Sequence, residues 1–450
     1  MIPAGLADSI DAFTTAMFMP WLVGILLLSG LWLTVRTGFV QVRRFAEAWR
    51  VAFVRRPTGS TGAITPFQAF MTSVGASIGT GNIAGVATAI VSGGPGAIFW
   101  IWAYGFVATA IKFCEAVLGI KFRHLDGDRL SAGPMHYLRD GLGSPKLAWI
   151  YALVAGIAAL TTTPFTQPNS IAVAQHSVFG IPTWVSGVVI AVLAWLVIIG
   201  GIKSIGRAAE KLSPLKVGLY LAGGLYVIAT HAGNLPEVFA LIFREAFSTQ
   251  AVAGGTGGIV MMNAMRYGLA RGIYANEAGY GTAAVAYGTA QSREPAQQGL
   301  NAVMEVFIVS FVTSTISALT ILVSGAWRSG LTSTAVVAQA FDTAIPTVGG
   351  WIVALCAFLF GYTTLIGWAY YGEQFLEYVF GPRITVPYRW MYCGLIVFGA
   401  TSKVELVWAW GDLMNALQIF PNLIGVIGLS GIVAKAAHDR HRADAPSRPT

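Results

Sequence analysis

Two short stretches of this 450-residue chain combine polar side chains with backbone punctuation: Ser77-Ile-Gly-Thr-Gly-Asn82 and Arg271-Gly-Ile-Tyr-Ala-Asn276. Each interrupts an apolar run. Aligned, GTGNIAGVATA (79–89) and IYANEAGYGTA (273–283) share Asn82/Asn276, Ala84/Ala278, Gly85/Gly279, Thr88/Thr282 and Ala89/Ala283 at a constant offset of 194 residues. A helix broken within a membrane exposes what a continuous helix hides. Free N–H groups at the start of its second half attract a carboxylate, and free carbonyls at the end of its first half attract a cation or an ammonium. The pair predicts a site for a zwitterion and a cation, with Asn82 and Asn276 as N-caps of the resumed helices. Gly75/Gly79 and Gly81/Gly85 also fit a plain small-residue packing motif.

Other polar groups lie inside apolar segments. Thr161, Thr162, Thr163, Thr166, Gln167, Asn169 and Ser170 surround Pro164 and Pro168. They either satisfy carbonyls that the prolines free or, for Gln167, offer an amide to a substrate. Thr363 and Thr364 supply two hard hydroxyl oxygens that suit Na⁺, although threonine also bonds within its own helix. Asp412, Asn415, Gln418 and Asn422 form one helical stripe. Asp412 is a candidate cation or proton partner, or part of a structural stripe near the outer mouth. Arg271 and Glu277 flank the second break as a candidate intramembrane pair, gate or scaffold.

Enzyme constellations are missing. Gly75-Ala-Ser-Ile-Gly79 fits G-x-S-x-G but lacks the preceding strand that motif needs. The six histidines show no metal spacing and there is no P-loop, so no catalytic residue, cofactor or ATP use is expected. Cys114, Cys356 and Cys393 sit in apolar runs as small buried residues.

What positions these groups is a membrane-spanning frame. Only 48 of 450 residues are charged while 55% are hydrophobic, and the mean hydropathy is +0.65. That is too little charge to cover a soluble surface. Apolar segments near 16–35, 63–90, 97–120, 147–174, 183–200, 213–231, 253–288, 298–324, 350–372, 384–401 and 405–434 predict about eleven transmembrane helices. Loops on one side hold 21 Lys and Arg, the other side three, with four in or beside spans. Lys203, Arg207, Lys211 and Lys216 are counted in one of the basic loops. By the positive-inside rule the N-terminus is outside and the C-terminus cytoplasmic, in the plasma (inner) membrane. The net charge of +8 is therefore a topology signal rather than a nucleic-acid footprint.

With that topology the two broken spans run in opposite directions, each opening a set of five. The expected organisation is an N-terminal helix and basic loop (1–62), a first repeat (63–231), an inverted second repeat (232–434) and a disordered tail (435–450). The N-terminus lacks a basic n-region, so its first span is expected to be retained. Paired interrupted helices in inverted repeats point to the midplane site of a secondary transporter, with a passive channel or a proton-driven carrier as alternatives.

Thr80-Gly-Asn-Ile-Ala-Gly85, Gly93-Gly-Pro-Gly-Ala97, Gln167 with Asn169-Ser170, Gly200-Gly-Ile-Lys203, Asn276-Glu-Ala-Gly279, Tyr370-Tyr-Gly-Glu373 and Pro421-Asn-Leu-Ile424 together resemble the alanine/glycine:cation symporter family. The resemblance covers about residues 30–430. It implies an all-α, LeuT-like five-plus-five core with discontinuous helices and one extra N-terminal helix, and sodium-coupled uptake of alanine or glycine. Carried over by position, Thr80, Gly81, Asn82, Gln167 and Asn276 would serve the amino acid. Main chain at Ala76 and Gly79, with Thr363 and Thr364, would hold Na⁺. The chain departs from the family pattern at Gly75-Ala-Ser-Ile78, where Ala-Ala-Arg-Val is usual, and at Val309-Ser310, where Asp-Thr is frequent. It departs again at Thr282-Ala-Ala-Val285, where Ser-Ala-Pro-Asn is frequent.

Overall fold

The computed structural model describes residues 6–14, 19–54, 61–126, 129–247 and 257–444. Each apolar segment of the sequence is helical along most of its length. Ala97–Lys121, Pro145–Phe179, Gly201–Thr230, Pro295–Val323 and Gly349–Phe380 are long and apolar enough to cross a bilayer unaided, and Trp21–Arg36 and Thr183–Ile198 are shorter apolar helices. Two further spans are bent pairs: Pro66–Ser77 turns by 59° into Thr80–Gly93, and Val407–Gly428 turns by 56° into Ser430–Asp439.

Local sequence sets the boundaries. Thr65 caps Pro66–Ser77 through a reciprocal capping box with Gln68, and Pro66, Pro145 and Pro295 stand at first-turn positions where no N–H is required. Ala97–Lys121 is the central post. It packs against Met19–Arg36, Gly257–Asn276, Thr282–Gly288 and Pro295–Val306. A Cβ on its Gly119 would lie 2.4 Å from the Ala284 carbonyl, so only glycine lets the two backbones meet there. Trp21, Leu28, Val192 and Leu196 project outward, as a lipid-facing surface requires.

Three sequence expectations change. Gly201–Thr230 begins a dozen residues earlier than its apolar stretch, so Lys216 is a fully buried helix residue rather than a loop cation. The tail is helical from Ser430 to Asp444 instead of disordered from 435, and 445–450 lie outside the described residues. The loop after Ala97–Lys121 contains a two-stranded hairpin, His124–Asp126 with Arg129–Ser131.

Candidate functional site

At the first break the helix ends at Ile78, passes an extended Gly79, makes one 3-10 turn at Thr80–Asn82 and resumes at Ala84. Gly79 is needed because a Cβ there would sit 2.8 Å from Thr364 Oγ1 and 3.0 Å from Gln167 Oε1. The backbone N–H and the hydroxyl of Thr80 both donate to Gln167 Oε1 at 3.0 Å. The Gln167 amide donates to Tyr274 OH at 3.5 Å, and that hydroxyl donates to Thr166 Oγ1 at 3.1 Å. The expectation that Gln167 meets the first break therefore corresponds to a direct contact. Thr161 and Thr162 instead bond to carbonyls of their own helix, at Ile157 and Ala158.

At the second break Gly257–Asn276 stops, and Glu277, Gly279 and Gly281 all take positive φ before Thr282–Gly288 begins. A left-handed glutamate costs on the order of 1 kcal/mol or more, and such strain persists where the surroundings fix it. Here Trp368 Nε1 donates to its Oε1 at 2.7 Å and Thr282 Oγ1 to its Oε2 at 3.0 Å. The N–H groups of Gly279 and Gly281 donate to Glu115 Oε1 at 2.9 and 3.1 Å, joined by the Asn422 amide at 2.7 Å. The donors that a break offers a substrate carboxylate are thus taken, on this side, by a side chain.

Between the breaks lies a small cavity lined by Ala76, Ser77, Gly79, Gly81, Thr162, Thr163, Gln167, Tyr274, Glu277, Tyr280, Thr364, Trp368 and Asn415. Its free volume of about 20 Å³ is room for roughly one water. Glu277 belongs to this cavity, which its reading as a scaffold does not anticipate. Asn82 and Asn276 are fully buried but face elsewhere. The Asn82 amide points at Val309 O and Ser314 Oγ, and that of Asn276 at Ser310 Oγ, while Asn276 Oδ1 caps the N–H of Ala278. Neither is the N-cap expected from the sequence: Ile83 and Gly281 occupy those positions without side-chain caps, and the two asparagine amides turn instead to the π-helical stretch Phe307–Thr313 and its neighbour Ser314.

Beside the cavity Tyr274 packs on Trp408 with ring centroids 5.1 Å apart and the rings tilted by 50°, Arg271 lies over Trp408 at 5.1 Å, and Arg271 pairs with Asp412 at 3.3 Å. Arg271 thus partners Asp412 and not Glu277, and the four residues roof the site. On the opposite side Arg123 gathers the carbonyls of Thr61, Gly288, Ala290 and Ser292 at 2.7–2.9 Å.

The two threonines of the expected cation cage behave differently. Thr364 Oγ1 donates to Ala76 O at 2.8 Å and lines the cavity. Thr363 Oγ1 accepts from Lys216 Nζ at 2.5 Å, and the same ammonium donates to Ile78 O at 2.5 Å and Gly75 O at 3.0 Å.

A second buried lysine joins the breaks. Lys112 Nζ donates to Ser77 Oγ at 2.9 Å, Asn276 O at 2.5 Å and Glu305 Oε1 at 2.6 Å, and Glu305 also accepts from Ser73, Ser77 and Tyr287. Lys112, Glu115 and Glu305 stand in apolar runs, so the rarity of intramembrane charge was the signal that marks them. The loop hairpin brings His124, His136 and Asp140 within 4.8 Å, a grouping their spacing hides. Burial pushes His136 down to about 3, and hydrogen bonds from Arg139 hold Asp140 at about 2.

The family model described as "Sodium:alanine symporter family" matches residues 4–447. The chain belongs to that family. It is 38% identical over 438 residues to a sodium/alanine symporter of Methanococcus maripaludis, covering 95% of each chain. It is 34% identical over 424 residues to an amino-acid carrier protein of Bacillus subtilis, covering 93% of this chain and 89% of the relative. Its fold is similar to MhsT in complex with L-phenylalanine, with a TM-score of 0.57 at 12% identity, covering 86% of this chain and 100% of the other. The protein is an all-α integral membrane transporter of LeuT-like architecture, not an enzyme, and its family carries amino acids with a cation.

Proposed function

We propose that this chain is a secondary symporter that imports a small neutral amino acid, of the size of alanine or glycine, together with a cation. The observation that carries this reading is one small cavity between the breaks with complementary groups on its wall. On its wall Gln167, which covers the Thr80 N–H behind it, answers a carboxylate, and the Glu277 carboxylate answers an ammonium. Aromatic walls from Tyr274, Tyr280 and Trp368 leave little space for a substrate side chain. The amino acid enters by displacing Gln167 Oε1 from Thr80. Opening of the Arg271–Asp412 roof alternates with release of the Arg123 clamp. The basic loops orient the clamped face toward the cytoplasm.

A passive channel fits less well, since the family to which the chain belongs is one of symporters. The name of the M. maripaludis relative, a sodium/alanine symporter, supports alanine as substrate and sodium as the family's coupling ion. The test is counterflow in proteoliposomes preloaded with unlabelled alanine, glycine or a larger amino acid. Labelled alanine or glycine should exchange and larger side chains should compete poorly. Accumulation under imposed inward Na⁺ or H⁺ gradients then reads the driving cation. No counterflow with any small amino acid would refute the reading.

A further inference from the structure

A buried ammonium in a membrane protein ordinarily has a carboxylate beside it, because an unpaired charge in low dielectric is costly. Lys112 obeys this rule through Glu305. Lys216 does not. It is 0% exposed, and among the described residues no carboxylate lies within ion-pair distance of it. Its three partners are neutral oxygens, the carbonyls of Gly75 and Ile78 and the hydroxyl of Thr363. Thr363 Oγ1 directs its own hydrogen back to Leu359 O or Phe360 O, at 3.0 and 3.1 Å, which leaves a lone pair for the ammonium. The face of Phe360 closes the fourth side at 5.2 Å from Nζ.

Carbonyls freed at the end of a half-helix plus a threonine hydroxyl are the ligand set a hard monovalent cation takes. The family resemblance implies Na⁺ at the adjoining main chain of Ala76 and Gly79, with Thr363 shared between the two ligand sets. We propose that Lys216 is a tethered cation that occupies this cage in place of Na⁺, so that amino-acid binding in this chain does not require Na⁺ there. The ammonium holds the end of Pro66–Ser77 against Gly349–Phe380, as a bound ion would, and the chain supplies the charge itself. Ser213, one turn earlier on the lysine's helix, donates to Met71 O at 2.9 Å and fastens the same half-helix. The Glu277 carboxylate lies on the wall of the adjoining cavity and makes no ion pair with Lys216.

The inference rests on the reading that the cavity binds an amino acid, and the counterflow panel tests that separately. With labelled alanine, or whichever amino acid of the panel exchanges, binding is measured in NaCl and in choline chloride. Wild type should change by less than about twofold between the salts. Lys216→Met should bind at least tenfold more weakly in choline and recover in NaCl, because removing the tethered charge opens the cage to Na⁺. Thermal melting without amino acid gives an independent readout: Na⁺ should raise the melting temperature of Lys216→Ala and not that of wild type. The inference is overturned by wild-type binding that needs Na⁺, or by a folded Lys216 variant that binds equally well in both salts. Should neither variant fold, the wild-type comparison still decides, since Na⁺-dependent binding or melting there overturns it and indifference to Na⁺ supports it.

Discussion

The ammonium of Lys112 stands 2.6 Å from Oε1 of Glu305, with both side chains fully buried. The pair is completed by Ser73, Ser77, Tyr287 and the carbonyl of Asn276, so every strong lone pair and proton has a partner. Breaking one member leaves a bare charge, which costs about 3–5 kcal/mol. Lys112→Met or Glu305→Leu should therefore sharply lower the melting temperature in detergent, and the double variant should be more stable than either single one. Additive losses in the double variant would show that the two charges act independently.

Gln167→Ala removes the acceptor of the Thr80 N–H and the amide facing Tyr274. If the amide holds the substrate carboxylate, the apparent KM should rise about tenfold, equivalent to roughly 1.4 kcal/mol, with little change in maximal rate. An unaltered KM would confine Gln167 to satisfying the helix break.

Gly81 presses its backbone against Tyr274, and a Cβ there would lie 2.7 Å from the ring. Gly81→Ala should abolish uptake while melting near the wild-type temperature, since the clash falls on the cavity wall. Adding Tyr274→Ala should restore uptake and admit larger side chains. A Gly81→Ala transporter with normal uptake would mean that the wall yields without consequence.

The native cysteines Cys114, Cys356 and Cys393 are all buried, so a single cavity cysteine can report access. In a Thr163→Cys background, Asp412→Asn should raise labelling by an impermeant thiol reagent added from the roof side, and Arg123→Ala should raise it from the clamp side. Labelling that ignores both substitutions would dismiss these contacts as gates.

Much of the frame is legible in the sequence because it depends on local signals. Glycine and asparagine at a fixed offset mark both breaks, and apolar length marks the helices. The partners are a different matter. Gln167 meets Thr80 from 87 residues away, Lys216 meets Ile78 from 138, and Lys112 meets Glu305 from 193. Such distances leave no trace in spacing, so Asp412 could be seen as a lone charge but not as the partner of Arg271. Lys216 was hidden further by its setting. It follows Lys203, Arg207 and Lys211, and only the early start of Gly201–Thr230 turns it from a loop residue into a buried one. Asn82 and Asn276 mark the breaks in the sequence but do not cap the resumed helices, because Val309 and Ser310 of Phe307–Thr313 take their amides instead.

Lys112 and Glu115 are three residues apart on Ala97–Lys121 and so share one face of it. The first grips Ser77, where one inner half-helix ends, and the second grips Gly279 and Gly281, where the other begins. Both breaks are thus hung from one post. A shift at either break therefore loads the other through this one helix, which ties the two into a single mechanical unit.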